Sequence, residues 1–295
     1  MKEATIRKLF ASEEDKMNHK WCNTAVATAA VLSLLAGPAM ADLLVHESFN
    51  YAEDSDITGA TCTATGLSGD SQVWERLSGT SVSNIVAGDL PYGELITSNN
   101  HLFTTTSGSG AISVVMDAPV IDALTPANGE TTTAWMSCLV KRIQSNEIRI
   151  GLDRLTNPTD KLNYLVVQNG HWGVSGGYDN AVKVSETVTA NEVYFYLVKF
   201  TFNLSGSNQT VTATGYRFSG GTLPENEASL GSGVYSEQTS THARFPGRLT
   251  IYMPTSDYAI DEIRVGESFG DVVVPEPASL ALIGVGLMLS RRRRS

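Results

Sequence analysis

One stretch limits the fold more than any other. Val193 to Phe202 (VYFYLVKFTF) is apolar on both faces until Lys199. Aromatic and β-branched residues at that density favour a strand. A strand apolar on both faces needs cover above and below, so it belongs in the middle of a sheet with material packed on each side. Asn203 to Gln209 is polar with one glycine and reads as a hairpin loop. Thr210 to Tyr216 then alternates, with Thr210, Thr212 and Thr214 on one face and Val211 and Ala213 on the other.

The rest of the central chain speaks the same language. Leu43 to Phe49 opens it as an apolar strand, and Ala111 to Met116 and Thr133 to Val140 are further runs. Ile148, Ile150 and Leu152 share one face, with Arg149 and Asp153 on the other. Tyr164 to Gln168 ends at Asn169-Gly170, a tight-turn pair. Leu249, Ile251 and Met253 alternate with Thr250 and Tyr252, and Ala259 to Val265 is the last strand. Helical periodicity is nearly absent, with one turn expected at Asp117 to Leu124. Many short strands separated by turn signals predict an all-β fold, two packed antiparallel sheets in a jelly-roll sandwich spanning residues 42–273. The chain is 42% hydrophobic, which suffices to bury such a core, and only 18% charged.

Both ends differ from this body. Ala25 to Ala36 is an apolar run of 12, preceded by His19 and Lys20, broken by Gly37-Pro38 and followed by Ala39-Met40-Ala41. Small residues at Ala39 and Ala41 form a cleavage pattern, so residues 1–41 read as a signal peptide cut before Asp42, which implies the Sec machinery and signal peptidase. Glu13, Glu14 and Asp15 do not suit a basic leader. Met17 opens a better one, and the true start is expected there. At the other end, Pro275-Glu276-Pro277 precedes a 12-residue apolar run, Ala278 to Leu289, and then Arg291, Arg292, Arg293 and Arg294. The prolines hold the Glu276 segment extended and accessible. Twelve helical residues reach about 18 Å against an apolar bilayer core of about 30 Å, which suits a temporary anchor. The arginines would stay cytoplasmic.

This tripartite tail, residues 274–295, resembles the PEP-CTERM sorting signal of Gram-negative bacteria that make exopolysaccharide. The resemblance implies an exosortase as processing partner, a precursor held transiently at the inner membrane, and delivery of the body to the cell surface or extracellular matrix. The order of body segments is similar to that of the concanavalin A-like, laminin-G-like jelly roll: LLVHESFNY, then TAWMSCLVKR and EIRIGLDR, then VYFYLVKFTFN with QTVTATGY, then YAIDEIRVGESFGDVV. That likeness implies the fold far more than any activity.

Trimming both ends leaves 12 basic and 26 acidic residues between Asp42 and Val274, a net of −14. Such a surface disfavours nucleic acid, whose recognition needs clustered positive charge. Hydrolases of the jelly-roll type place carboxylates on one strand as E-x-D-x-x-E. The nearest stretch, Asp257, Asp261, Glu262 and Glu267, lacks that spacing. Asp261 is expected on one face with Ile263 and Val265, held by backbone N–H groups. Glu262 is expected to form a surface pair with Arg264. The four body histidines, His46, His101, His171 and His242, are scattered, which predicts no zinc site. No calcium loop is present, although Asp153, Asp160 and Asp179 are loop carboxylates. No cofactor is expected. Trp172 and Tyr178 bracket a glycine-rich turn and are the candidate glycan platform, Trp172 also fitting the role of a packing lid. Trp135 reads as core. Cys62 and Cys138 fit either an exported disulfide or separate buried thiols. Three functions stay open: a non-catalytic surface or matrix protein associated with exopolysaccharide, a glycan-binding lectin-like module, and a glycoside hydrolase or polysaccharide lyase.

Overall fold

A computed structural model describes residues 43–273 except 63, 68–72, 80–82, 94, 96, 98, 105–108, 145–146, 157–161, 178–181, 241–244 and 255–256. The expected signal peptide and sorting tail lie outside these residues. Among the described residues no helix is long and apolar enough to cross a membrane.

The strands in chain order are β1 (Leu43–Glu47), β2 (Glu75–Gly79), β3 (Ser83–Ala87), β4 (Asn100–Thr104), β5 (Ser109–Val115), β6 (Thr131–Arg142), β7 (Glu147–Asp153) and β8 (Asn163–Gln168). They continue as β9 (His171–Gly176), β10 (Val182–Lys183), β11 (Val193–Ser205), β12 (Asn208–Phe218), β13 (Val234–Ser240), β14 (Arg248–Pro254) and β15 (Tyr258–Gly266). Helix α1 (Ala118–Leu124) follows β5, where one turn was expected, and α2 (Phe269–Val273) ends the described chain. All strand pairs are antiparallel. One sheet has eight strands in the order β13-β12-β11-β6-β15-β4-β3, with β1 also on β15. The other has seven, ordered β10-β9-β8-β7-β14-β5-β2. Two antiparallel sheets packed face to face are the sandwich that the alternation predicts.

Side-chain alternation sorts each strand between this shared core and an outer face. β11 turns Tyr194, Tyr196, Val198, Phe200 and Phe202 into the inter-sheet core. Its other side carries Phe195 and Leu197 into a second apolar layer with Trp135 and Leu139 of β6, covered by Leu90, Tyr92, Leu95 and α2. Both faces of β11 are therefore roofed, as its sequence requires. Lys199 breaks the pattern at the border of that layer. Its Nζ lies 5.1 Å from the Trp135 ring centroid and 2.7 Å from Glu227.

Two expectations are corrected in detail, and the open question of the cysteines is answered. The hairpin after β11 is tighter than the polar run suggests. Ser205 pairs with Asn208, and Gly206 takes a left-handed φ of 61° in the two-residue turn. Polar Asn203 and Asn208 stay in the ladder because backbone pairing does not depend on side-chain polarity. β15 does not alternate uniformly either. Its register with β6 slips between Asp261 and Arg264, and Glu262 has φ 50°. This bulge puts Ile263 and Val265 in the inter-sheet core while Asp261 pairs with Leu139 on the outer side. Lastly, Cys62 and Cys138 are both free and both buried. Burial pushes the Cys138 thiol well above its ordinary value. The Asn169-Gly170 turn forms as expected, with left-handed φ of 48° and 79° between β8 and β9.

Candidate functional site

The outer side of the seven-stranded sheet holds a small depression, and three neighbouring strands build it. β7 points Ile148, Ile150 and Leu152 inward, which leaves Arg149, Gly151 and Asp153 outside. Register then sets Tyr164 of β8 on one side of Gly151 and Thr250 of β14 on the other, while Tyr252 stands opposite Arg149. The missing side chain at Gly151 makes the floor. A Cβ there would lie 2.3 Å from the Asn163 carbonyl oxygen and 2.6 Å from Tyr164 Cβ. The depression is shallow and lined by Arg149, Gly151, Asp153, Tyr164, Thr250 and Tyr252. Its enclosed space is about 10 Å³, room for about one water molecule, so only a single polar group of a ligand could enter it.

Its polar groups are largely tied to one another. The Arg149 guanidinium sits 4.8 Å from the Tyr164 ring centroid and 5.8 Å from that of Tyr252. It donates to the Tyr164 hydroxyl at 3.2 Å and pairs with the Glu147 carboxylate. The Asp153 carboxylate accepts the Leu162 N–H at 2.8 Å. Thr250 is the exception. It is 5% exposed, and its hydroxyl has no hydrogen-bond partner among the described residues. An unsatisfied buried hydroxyl costs about 1–3 kcal/mol, so a polar group entering the depression would recover that loss.

The sequence-derived platform is elsewhere and has another role. Trp172 is 3% exposed and points into the inter-sheet core from β9. Its ring meets Tyr196 edge-on at 5.7 Å, and its Nε1 donates to Glu186 at 3.3 Å. It also fills the space over Gly215, where a Cβ would lie 3.0 Å from the indole. Trp172 is thus the packing residue and not a rim platform. Gly176, in the glycine-rich stretch after Trp172, lets the sheets approach, since a Cβ there would lie 2.7 Å from the Val211 carbonyl oxygen. Tyr178, Asp160, Asp179 and His242 lie outside the described residues.

The carboxylates of β15 are buried. Glu262 is 2% exposed, and its Oε2 binds His46 Nε2 at 2.7 Å and the Arg264 guanidinium at 3.0 Å. Its expected surface pair with Arg264 is therefore a buried one, because the bulge turns both side chains under cover. Burial alone would raise the Glu262 pKa, but His46 and Arg264 outweigh it and hold it below the ordinary value. Asp261 is fully buried and accepts the Glu262 N–H at 2.9 Å. Burial, then the Glu262 charge, push it up to about 8 against the lowering effect of two backbone N–H groups, those of Glu262 and Leu90. Among the described residues its Oδ2 has no hydrogen-bond partner.

A further buried carboxylate escaped the sequence reading. Glu47 of β1 is 2% exposed. It accepts the Phe49 N–H at 2.6 Å, the Tyr51 hydroxyl at 2.8 Å, the Trp74 indole N–H at 3.3 Å and the Cys62 thiol at 3.5 Å. Its signal was present: a carboxylate in phase with inward Val45 and Phe49. Desolvation raises its pKa despite these bonds, and burial pushes the Cys62 thiol up to about 12. The cluster pins the start of the body to the loop before β2. Among the described residues no three metal-ligating side chains converge.

Comparison with known proteins bears mainly on the tail. Residues 273–294 match the PEP-CTERM protein-sorting motif. No curated protein matches the chain. Among solved structures, the catalytic domain of a glycoside hydrolase family 131 protein from Coprinopsis cinerea is 12% identical, with 67% of this chain and 82% of that one aligned at a TM-score of 0.36. Peanut lectin is 8% identical over 66% of this chain and 97% of its own, at 0.30. A botulinum neurotoxin type C structure is 10% identical at 0.35, and the 63% of this chain that aligns spans 44% of that chain. The sandwich assignment therefore stands on this chain's own strand register. What the motif adds is an address: a two-sheet β-sandwich whose last helix runs straight into a PEP-CTERM protein-sorting motif at residues 273–294.

Proposed function

We propose that this chain is the precursor of an exported, non-catalytic surface or extracellular-matrix protein, processed by an exosortase at Pro275-Glu276-Pro277 and associated with exopolysaccharide. The observation that carries the reading is the sorting-motif match at residues 273–294, which begins at the last described residue of the body. The apolar run and arginines hold the precursor in the inner membrane while the proline-flanked glutamate is presented. Cleavage there breaks one peptide bond. The body's acyl group passes to water, giving a carboxylate, or to a surface amine, giving a new amide, and the tail leaves with a free amine. Intact-mass measurement of the exported protein should show a start at Asp42 and loss of Arg291 to Arg294. Replacing Pro275, Glu276 and Pro277 with alanine should leave a membrane-retained precursor. Arginines retained in the surface protein would overturn the reading.

A second reading, glycan binding by the body, is favoured by the depression between Tyr164 and Tyr252 with the unpaired Thr250 hydroxyl at its edge. Closed local ion pairs and the acidic body suit a neutral sugar better than an anionic one. Retention on neutral polysaccharide columns, lost in Tyr252→Ala, would support it. Equal retention of both proteins would sink it.

A further inference from the structure

The body grips its own C-terminus up to the first residue of the sorting motif. Phe269 of α2 packs edge-on against Trp135 at 5.6 Å, and Val272 and Val273 are buried in the outer apolar layer. The Ser137 hydroxyl of β6 donates to the Val272 carbonyl at 2.8 Å. The Asp271 carboxylate accepts the Ser268 N–H at 2.7 Å. Asp271 also fills the space above Gly266, where a Cβ would lie 2.3 Å from its own Cβ. The motif match starts at Val273, and Pro275 follows two residues later.

The geometry allows little slack. Five steps separate Val273 from Ala278, the first residue of the apolar run, and fully extended they span about 18 Å. A membrane-embedded processing enzyme must grip the Pro275-Glu276-Pro277 segment extended, with chain on either side of it. On the upstream side the chain is a helical turn buried against β6 and β15. Turns of this kind open locally without global unfolding, and cleavage that depends on such opening follows the population of the open form.

Resting on the processing reading above, we infer that α2 gates its own release: the processing enzyme gains access only when Phe269 to Val273 undocks from the outer face of the eight-stranded sheet. The body thereby sets the rate at which its tail is removed. A precursor whose last strand and helix have docked is cut slowly, from its open minority.

The test is pulse–chase of the full chain in the producing bacterium, reading precursor and processed forms. Inserting about ten Gly/Ser residues between Val273 and Val274 leaves every contact of α2 intact and frees the upstream grip, so processing should accelerate. Ser137→Ala removes one buried hydrogen bond from the docked state and should accelerate processing about fivefold in the natural chain. With the linker present, the same substitution should change nothing. Linker and natural chains processed at one rate would overturn the gate while leaving exosortase processing standing. Ser137→Ala accelerating both equally would show general destabilisation and also overturn it. No processing of the natural chain at all would overturn both readings together.

Discussion

The two sheets turn opposite kinds of surface away from the core they share. The eight-stranded sheet carries Trp135, Leu139, Phe195 and Leu197 outward, and a loop and α2 bury them. The seven-stranded sheet carries Arg149, Gly151, Thr250 and Tyr252 outward around a shallow depression. Strand alternation makes both faces, but the chemistry placed on them differs. An apolar outer face must be roofed, and here the roof includes the segment that leads to the sorting tail. A polar outer face needs no roof. One side of the sandwich is closed by the body's last described helix, and the other stays open at a shallow polar depression.

The largest expected effect lies in the roofed half. Trp135→Ala should cost about 3–5 kcal/mol in chemical denaturation, because it empties the centre of the outer layer and removes the ring that Phe269 meets. Trp172→Ala should cost a similar amount while leaving polysaccharide retention unchanged, since its ring faces the other core. Retention lost at full stability would reverse the contrast between the two faces.

A pH series probes the same roof. The folded-state pKa of Asp261 is raised to about 8 from an ordinary carboxylate value, so its share of the stability is fully present below that ordinary value. It is lost as pH rises through about 8. Glu47 is shifted in the same direction, and Glu262 in the opposite one. Asp261→Asn, which mimics the protonated acid, should flatten the decline in melting temperature between about pH 4 and 8. An unchanged slope would place the titration in other groups.

Smaller effects sharpen the open half. Thr250→Val replaces an unpaired buried hydroxyl by a methyl of the same shape and should stabilise the body by about 1 kcal/mol. If neutral-glycan retention falls at the same time, the hydroxyl is kept for binding at a cost in stability. The smallest change is Lys199→Ala, which breaks the pair with Glu227. Both side chains are substantially exposed, so less than about 1 kcal/mol is expected by thermal denaturation in low salt.

Much of this architecture was legible from alternation alone. The inward sets Ile148, Ile150, Leu152 and Leu249, Ile251, Met253 sit where period two puts them, because burial of one face enforces register. The two roofed faces of β11 were legible for the same reason. The bulge at Glu262 was not. A one-residue slip has no hydrophobic signature, and it moved Asp261 to the outer side and buried Glu262 with Arg264. The role of Trp172 was left open between platform and packing lid because a glycine-rich neighbourhood marks close backbone approach, which can serve a ligand or a second sheet, and here serves the second sheet. The depression was missed because each of its residues is ordinary in its own strand. Only the register across β8, β7 and β14 brings Tyr164, Gly151 and Thr250 side by side.

That register bears on when the fold can form. β15 is the last of the described strands to be made, yet it is a central one. It pairs with β6 along one edge and shares the other between β4 and β1, so that Leu43 lies beside Gly266. A chain emerging N-terminus first holds β1 without its partner until more than two hundred further residues have followed. Contacts of such long sequence separation make folding slow, and the larger sheet cannot close before β15 has been made. A truncated body lacking its final strand loses the middle of the larger sheet and with it the surface on which α2 rests. The closed sandwich is therefore a physical record that the chain has been made as far as Gly266.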